Sequence, residues 1–327
     1  MTTKKKTIIS VILFIIIFGG ILTVATFYDL QINQFLTQKS LAAHTYNTND
    51  PFGAFFEVIG DCPVKLMLAF AFSLFFINAK RNMKGKKQTA VMILTAALTM
   101  VANFVFVMGV MDYIKPILIK DDSSYELAGG AFLTFVYLFI AAILSALALL
   151  AANNIGDESI KKLFKFAVAT VVIAAIPTIL VNLVLKDPIG RIRFRAMNMY
   201  PDDETYGFKA FARWYEINGQ WIPKETMSAL FGTTDALKSC PSGHTSAAGT
   251  IYALTLLNDC LDIKSKKVRA FNWIFPIAYT GTVALSRMVV GAHFLSDVLL
   301  GGTLTFVTMI ITREVMLKGE HIKSLKK

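Results

Sequence analysis

Eight apolar runs restrict the fold of this chain more than any other feature. They are roughly Thr7–Phe27, Pro63–Ala79, Thr89–Met111, Ala128–Ala152, Phe164–Leu185, Gly243–Cys260, Phe271–Val289 and Phe294–Ile311. Each is near the ~20 residues that carry a helix across ~30 Å of hydrocarbon. A bilayer core offers no water to backbone amides, so runs of this length fold as helices. The pattern predicts an all-α polytopic membrane helix bundle with about eight transmembrane helices. The second run is short, and the sixth carries several small polar residues, so their ends are loosely defined.

The first run follows Lys4-Lys5-Lys6, as a signal peptide would. It exceeds the ~7–15 residues of a signal-peptide apolar core, and no clean Ala-x-Ala site follows, so an uncleaved first helix is expected. Between the first two runs, residues 51–60 (PFGAFFEVIG) read as a short amphipathic helix lying at the membrane interface.

The net charge of +11 invites a nucleic-acid partner, but its distribution argues against one. With the N-terminus inside, the cytoplasmic segments hold Lys4–Lys6, the Lys80–Lys87 cluster, Lys161, Lys162, Lys165, the Lys264–Arg269 cluster and the tail from Arg313. Those segments carry 20 of the 33 basic residues and only 6 of the 22 acidic ones. The positive-inside rule selects this orientation, with both termini cytoplasmic. The partner it implies is the lipid bilayer, with no nucleic acid. Cys62, Cys240 and Cys260 form no CxxC pair, so metal and redox motifs are absent. A Cys62–Cys240 disulfide on the outer face is conceivable, and unpaired thiols are the favoured expectation.

Three polar segments sit at run ends. They are Lys186-Asp-Pro-Ile-Gly-Arg191-Ile-Arg193-Phe-Arg195, Pro241-Ser242-Gly243-His244-Thr245, and Ser286-Arg287-x5-His293-x3-Asp297. The charge count sets orientation without them, yet it places all three on the outer face. Lys186, Arg193 and Arg287 would gather three cations. Ser242 and Gly243 would open a helix whose free N–H groups favour an anion. Arginine forks bind phosphate oxygens in pairs, and lysine acts as a point charge. His293 and Asp297, four apart, share a face if helical, so Asp297 could accept from one imidazole nitrogen and free the other. A metal site from His244, His293 and Asp297 is disfavoured, because the nearby cations would repel the ion. No cofactor is expected.

Lys-x6-Arg, Pro-Ser-Gly-His and Ser-Arg-x5-His-x3-Asp, in this order, resemble the signature of the type 2 phosphatidic acid phosphatase superfamily. The motifs span Lys186–Asp297, about a third of the chain. The resemblance implies a six-helix phosphatase-like core and three roles: nucleophilic attack by His293 through a phosphohistidine, orientation by Asp297, and leaving-group protonation by His244. Lys186, Arg193, Ser242, Gly243 and Arg287 would hold the phosphoryl oxygens, without metal. The family's usual Pro after the first-motif Arg is replaced by Phe194. Arg191 and Arg195 fall outside the pattern, either as accessory contacts to a second phosphate or as solvated or lipid-facing side chains.

The expected division is 1–162 for the N-terminal helices, 163–316 for the catalytic core and 317–327 for a basic tail. The implied activity is hydrolysis of a membrane lipid phosphate or pyrophosphate on the extracytoplasmic face of the cell membrane. Candidate substrates are undecaprenyl pyrophosphate, phosphatidylglycerol phosphate, phosphatidic acid and phosphorylated sugar lipids. The polyprenyl pyrophosphate is slightly preferred because Arg191 and Arg195 add positive charge. An anionic-lipid transporter or flippase, or an inactive lipid-binding relative, is the alternative. Phe208, Phe211, Trp214, Tyr215 and Trp221 would anchor the 186–240 loop at the interface or cap the pocket. Oligomeric state is not legible.

Overall fold

The computed structural model describes residues 3–41, 48, 50–118, 130–197, 211–217 and 223–316, with backbone alone for 3–7, 112–118 and 130–131. Phe208, Trp221 and the tail 317–327 lie outside the described residues.

Every regular element among the described residues is helical. They are α1 (Thr3–Leu36), α2 (Pro51–Ile59), α3 (Cys62–Asn82), α4 (Gly85–Leu118), α5 (Gly130–Asn153) and α6 (Asp157–Ile179). A wide π turn (Leu180–Leu185) joins α6 to α7 (Lys186–Ile189), and α8 (Phe194–Met197) and α9 (Lys224–Phe231) follow. Then come α10 (Gly243–Ala248), a 3₁₀ turn (Gly249–Ala253), α11 (Leu254–Cys260), α12 (Lys266–Val289) and α13 (Leu295–Met316).

Six stretches among the described residues are long and apolar enough to cross a membrane: Ile8–Leu36, Pro51–Asn82, Gly85–Met111, Phe132–Asn153, Asp157–Met197 and Leu295–Met316. The expected count of eight is met for these six alone. The run Gly243–Cys260 is broken by its 3₁₀ turn and rich in small polar residues. α12 is long, but its polar face lowers its apolar content. It buries Asn272, Thr280, Ser286 and Arg287 while Phe271, Ile274, Ile277 and Leu285 stay exposed. That is the pattern of a helix with lipid on one side and a polar site on the other.

The interfacial helix foreseen at 51–60 exists as α2, but it does not stand apart. Asp50 caps its start by accepting from the Gly53 amide at 2.6 Å. Only Gly60 and Asp61 separate it from α3, and it packs on α12. The Tyr279 hydroxyl donates to the Ile59 carbonyl at 2.5 Å, and Phe56 meets the Tyr279 ring edge-on.

The main apolar core lies between α3, α6, the 3₁₀ turn, α11 and α13. Leu74, Ile77, Leu163, Phe166, Ile173, Tyr252, Leu256 and Met309 pack there. Helices before and after residue 162 therefore share one core. α13 crosses α10 at very short range: a Cβ on Gly301 would come within 2.4 Å of the Ser242 carbonyl oxygen. Small residues at such a crossing let backbones approach, which drives helix association where lipid removes the hydrophobic incentive.

Candidate active site

Pro177 lies inside α6 and contributes no amide to the helix ladder. The helix then widens into the π turn and ends at Gly190, whose φ of 56° is left-handed. The chain turns inward from there. Ile192 enters a small apolar cluster with Met227, Phe231 and Leu237. The Arg193 amide donates to the Ala236 carbonyl and the Ser239 amide to the Arg191 carbonyl, fixing 191–193 against 236–239. Gly291 (φ 65°) ends the α12 exit turn, and its carbonyl accepts from the Arg195 amide. A Cβ there would press on Phe194 and Leu41. Phe194, where the resembled family has Pro, stacks edge-on against Phe294.

These turns bring the three motifs together. His293 is 1% exposed. Its Nδ1 lies 2.6 Å from the Ser239 carbonyl oxygen, and its Nε2 lies 3.4 Å from Arg193 Nη1. A carbonyl only accepts and a guanidinium only donates, so Nδ1 carries the proton and Nε2 the free lone pair. Burial, reinforced by Arg193, Lys186 and His244, holds the imidazole well below its ordinary pKa, so it stays neutral. This partner differs from the one expected. Asp297 Oδ2 stands 4.0 Å from Nδ1, beyond hydrogen-bond range. His293 precedes α13 rather than lying on it, so the helical four-residue spacing does not apply. The Asp297 carboxylate instead accepts from Arg191 at 2.6 Å, Ser239 Oγ at 2.6 Å and the Phe294 amide at 2.9 Å.

Arg193 is fixed from several sides. Its Nε donates to the Asp235 carbonyl at 2.9 Å, Nη2 to the Asp235 carboxylate at 2.9 Å and Nη1 to the Ala292 carbonyl at 3.1 Å. Ser242 caps α10, accepting from the Thr245 amide at 3.3 Å. Lys186 Nζ and Asn182 Oδ1 each lie 3.0 Å from where a Gly243 Cβ would stand, so glycine lets that lysine sit close against the start of α10. Arg287 is buried, with Nη1 3.3 Å from Glu57 Oε2, Nη2 on the Gly53 carbonyl and Nε 3.4 Å from Ser286 Oγ. His244 is half-buried among Glu57, Arg287, Asp61 and Arg193. Arg195 is buried and acts electrostatically on both Glu57 and Arg287.

Arg191 is the correction. It is neither solvated nor lipid-facing, and it is not a spare cation for a second phosphate. It is 0% exposed and ion-paired to Asp29 at 3.0 Å and Asp297 at 2.6 Å. Its Nε donates to the Ala212 carbonyl, and its Cζ lies 4.1 Å from the Phe294 ring centroid. Two carboxylates cancel its charge, which removes half of the argument for a pyrophosphate.

The loop aromatics also have other duties. Phe211 packs edge-on against Phe294, and Trp214 Nε1 donates to Thr26 on α1 at 2.9 Å. Cys62 and Cys240 are buried free thiols. Among the described residues no set of three His, Cys, Asp or Glu side chains is grouped to hold a metal ion.

Sequence inspection missed Asp29, Asn33, Glu57, Asp235 and Ser239. Asp29 left a signal, since an ionisable residue in a membrane helix marks function by default. The first apolar run was ended at Phe27, which placed it outside.

A family model described as PAP2 superfamily matches residues 162–319. No curated protein and no solved structure matches the chain.

Proposed function

We infer from the match of residues 162–319 to the PAP2 superfamily model, which suggests a phosphatase-type function, that the chain is a membrane phosphatase acting on a lipid phosphate through a phosphohistidine. The observation that carries this reading is the state of His293: its Nδ1 is tied to the Ser239 carbonyl and its Nε2 lone pair faces Arg193.

Lys186, Arg193, Arg287 and the free amides at the start of α10 bind the phosphoryl oxygens and spread its charge as it transfers. His293 Nε2 attacks phosphorus. His244 gives a proton to the departing lipid oxygen, then takes one from the water that hydrolyses the phosphohistidine. Lipid tails remain among the helices while the headgroup enters from the outer leaflet. One phosphoryl site is supported by this geometry, so a phosphomonoester lipid now fits as well as a polyprenyl pyrophosphate.

The test is phosphate release by purified protein in detergent with EDTA, over a lipid panel that includes phosphatidic acid and a polyprenyl pyrophosphate. Wild type is expected to release phosphate, and His293→Ala to lose at least the ~10²–10⁴ attributable to acid–base catalysis alone. Equal rates in the two proteins would refute the nucleophile. Wild-type activity abolished by EDTA would refute the metal-free mechanism.

A further inference from the structure

Between residues 8 and 41, the fully buried positions of α1 and its exit turn are Ala25, Asp29, Asn33, Thr37 and Ser40. They recur every three to four residues and form a single stripe. Elsewhere α1 shows Ile12, Ile16, Val24, Phe27 and other apolar side chains outward. Four of the five striped residues are polar, which inverts the ordinary amphipathic arrangement. A buried carboxylate in a membrane helix is costly, so its partners should be specific.

The partners are those of the His293 loop. Asn33 Nδ2 donates to the His293 carbonyl at 3.0 Å. Asp29 Oδ1 accepts from the Ser296 amide at 3.0 Å, satisfying a free N–H in the first turn of α13. Asp29 Oδ2 accepts from Ser296 Oγ and pairs with Arg191. Arg191 passes the contact to Asp297, which accepts from Ser239 Oγ, and the Ser239 carbonyl receives His293 Nδ1. Ser40 Oγ donates to the Val289 carbonyl, at the other end of the same loop. The histidine loop is therefore held on its backbone by α1 and on its ring by a chain that begins at Asp29.

We propose that Asp29 and Asn33 are positioning residues for phosphoryl transfer, so that the reaction depends on a helix lying outside the family-matched region 162–319. This rests on the assignment of His293 as nucleophile. The two residues touch no substrate. They fix where the imidazole Nε2 stands relative to the phosphate held by Lys186, Arg193 and Arg287.

The experiment compares Asn33→Ala, Asp29→Asn, Thr26→Val and His293→Ala with wild type, measuring kcat, KM and inhibition by inorganic phosphate. Asn33→Ala removes one neutral bond, so it carries the test even if Asp29→Asn fails to fold. Thr26→Val is the control, because it cuts the Trp214 tether on the same helix without touching the His293 loop. The expected result is a kcat loss approaching 10²-fold for Asn33→Ala, the scale of an ångström-sized misplacement. KM and phosphate inhibition stay unchanged, and Thr26→Val keeps its kcat. An Asn33→Ala protein with wild-type kcat overturns the proposal. So does an equal fall in Thr26→Val, which would make α1 a general tether. If His293→Ala retains activity, the nucleophile assignment fails instead.

Discussion

A guanidinium with no exposure has to find its counter-charge inside the protein, and Arg191 finds two, 162 and 106 residues away in sequence. Removing it would strand Asp29 and Asp297 together in a dry interior. Arg191→Met is therefore expected to cost about 3–5 kcal/mol, the penalty of breaking a buried ion pair by deleting one partner. It should be visible as a large drop in the melting temperature of the detergent-solubilised protein; an unchanged value would contradict the pairing. Arg191→Lys should recover only part, since one ammonium cannot fork between two carboxylates and the Ala212 carbonyl. His293 makes the pH prediction. Its folded-state pKa lies below the ordinary value of 6.5, so below pH 6.5 the unfolded chain binds a proton that the native one refuses. Stability from this residue is full above that pH and declines as pH falls through and below it. Melting temperatures measured across that window should fall toward acid, and His293→Gln, which never charges, should flatten the slope. The motif residues themselves were legible, because phosphate chemistry demands particular side chains at particular spacings. Arg191 was misjudged because local spacing carries no information about partners so distant in sequence.

Helices were legible to the extent that lipid, rather than protein, surrounds them. α1, α4 and α5 expose apolar faces and appeared as clean runs. The 243–260 segment and α12 surround the site, carry inward polar residues, and blur by composition. α2 was read as a short interfacial helix and nothing more, because a nine-residue stretch cannot disclose that Tyr279 and Arg287 will hold it. The contact between α10 and α13 is likewise a property of the pair. A Cβ at Gly301 would stand 2.4 Å from the Ser242 carbonyl oxygen and close to the backbone nitrogen of the same residue. Backbone cannot swing aside as a side-chain end can, so Gly301→Ala should part the two helices and misplace the Ser242 cap. Gly281 on α12 is the comparison, with nothing within 4 Å of an added Cβ. Gly281→Ala should be neutral or stabilise by about 0.4–1 kcal/mol, through reduced freedom of the unfolded chain. Measured side by side, Gly301→Ala should lose activity and melting temperature, and Gly281→Ala should keep both. Equal tolerance would mean that the crossing is looser than its geometry implies.

At the scale of the molecule, charge separates along the helices. α3 runs from Cys62, beside the site, to the Lys80–Arg81 end, where Arg81 pairs with Asp157 at 2.8 Å and donates to the Asn153 and Ile155 carbonyls. α6 runs the opposite way, from Asp157 to the π turn that delivers Lys186. α12 starts with Lys266, Lys267 and Arg269 and ends at Arg287, next to the histidine loop. Among the described residues the Lys80–Lys87, Lys161–Lys165 and Lys264–Lys267 clusters thus collect at one end of the bundle and the site residues at the other. The positive-inside rule keeps lysine and arginine outside a site on the cytoplasmic side, and on that ground we propose that the site faces outward. The site's own cations do not oppose this, since Arg191 and Arg193 are paired with Asp29, Asp297 and Asp235. Right-side-out vesicles given a short-chain lipid phosphate that does not cross the bilayer should release phosphate without permeabilisation. Inverted vesicles should do so only after detergent is added. The reverse pattern would place the site in the cytoplasm and would mean that the lysine clusters serve another purpose than topology.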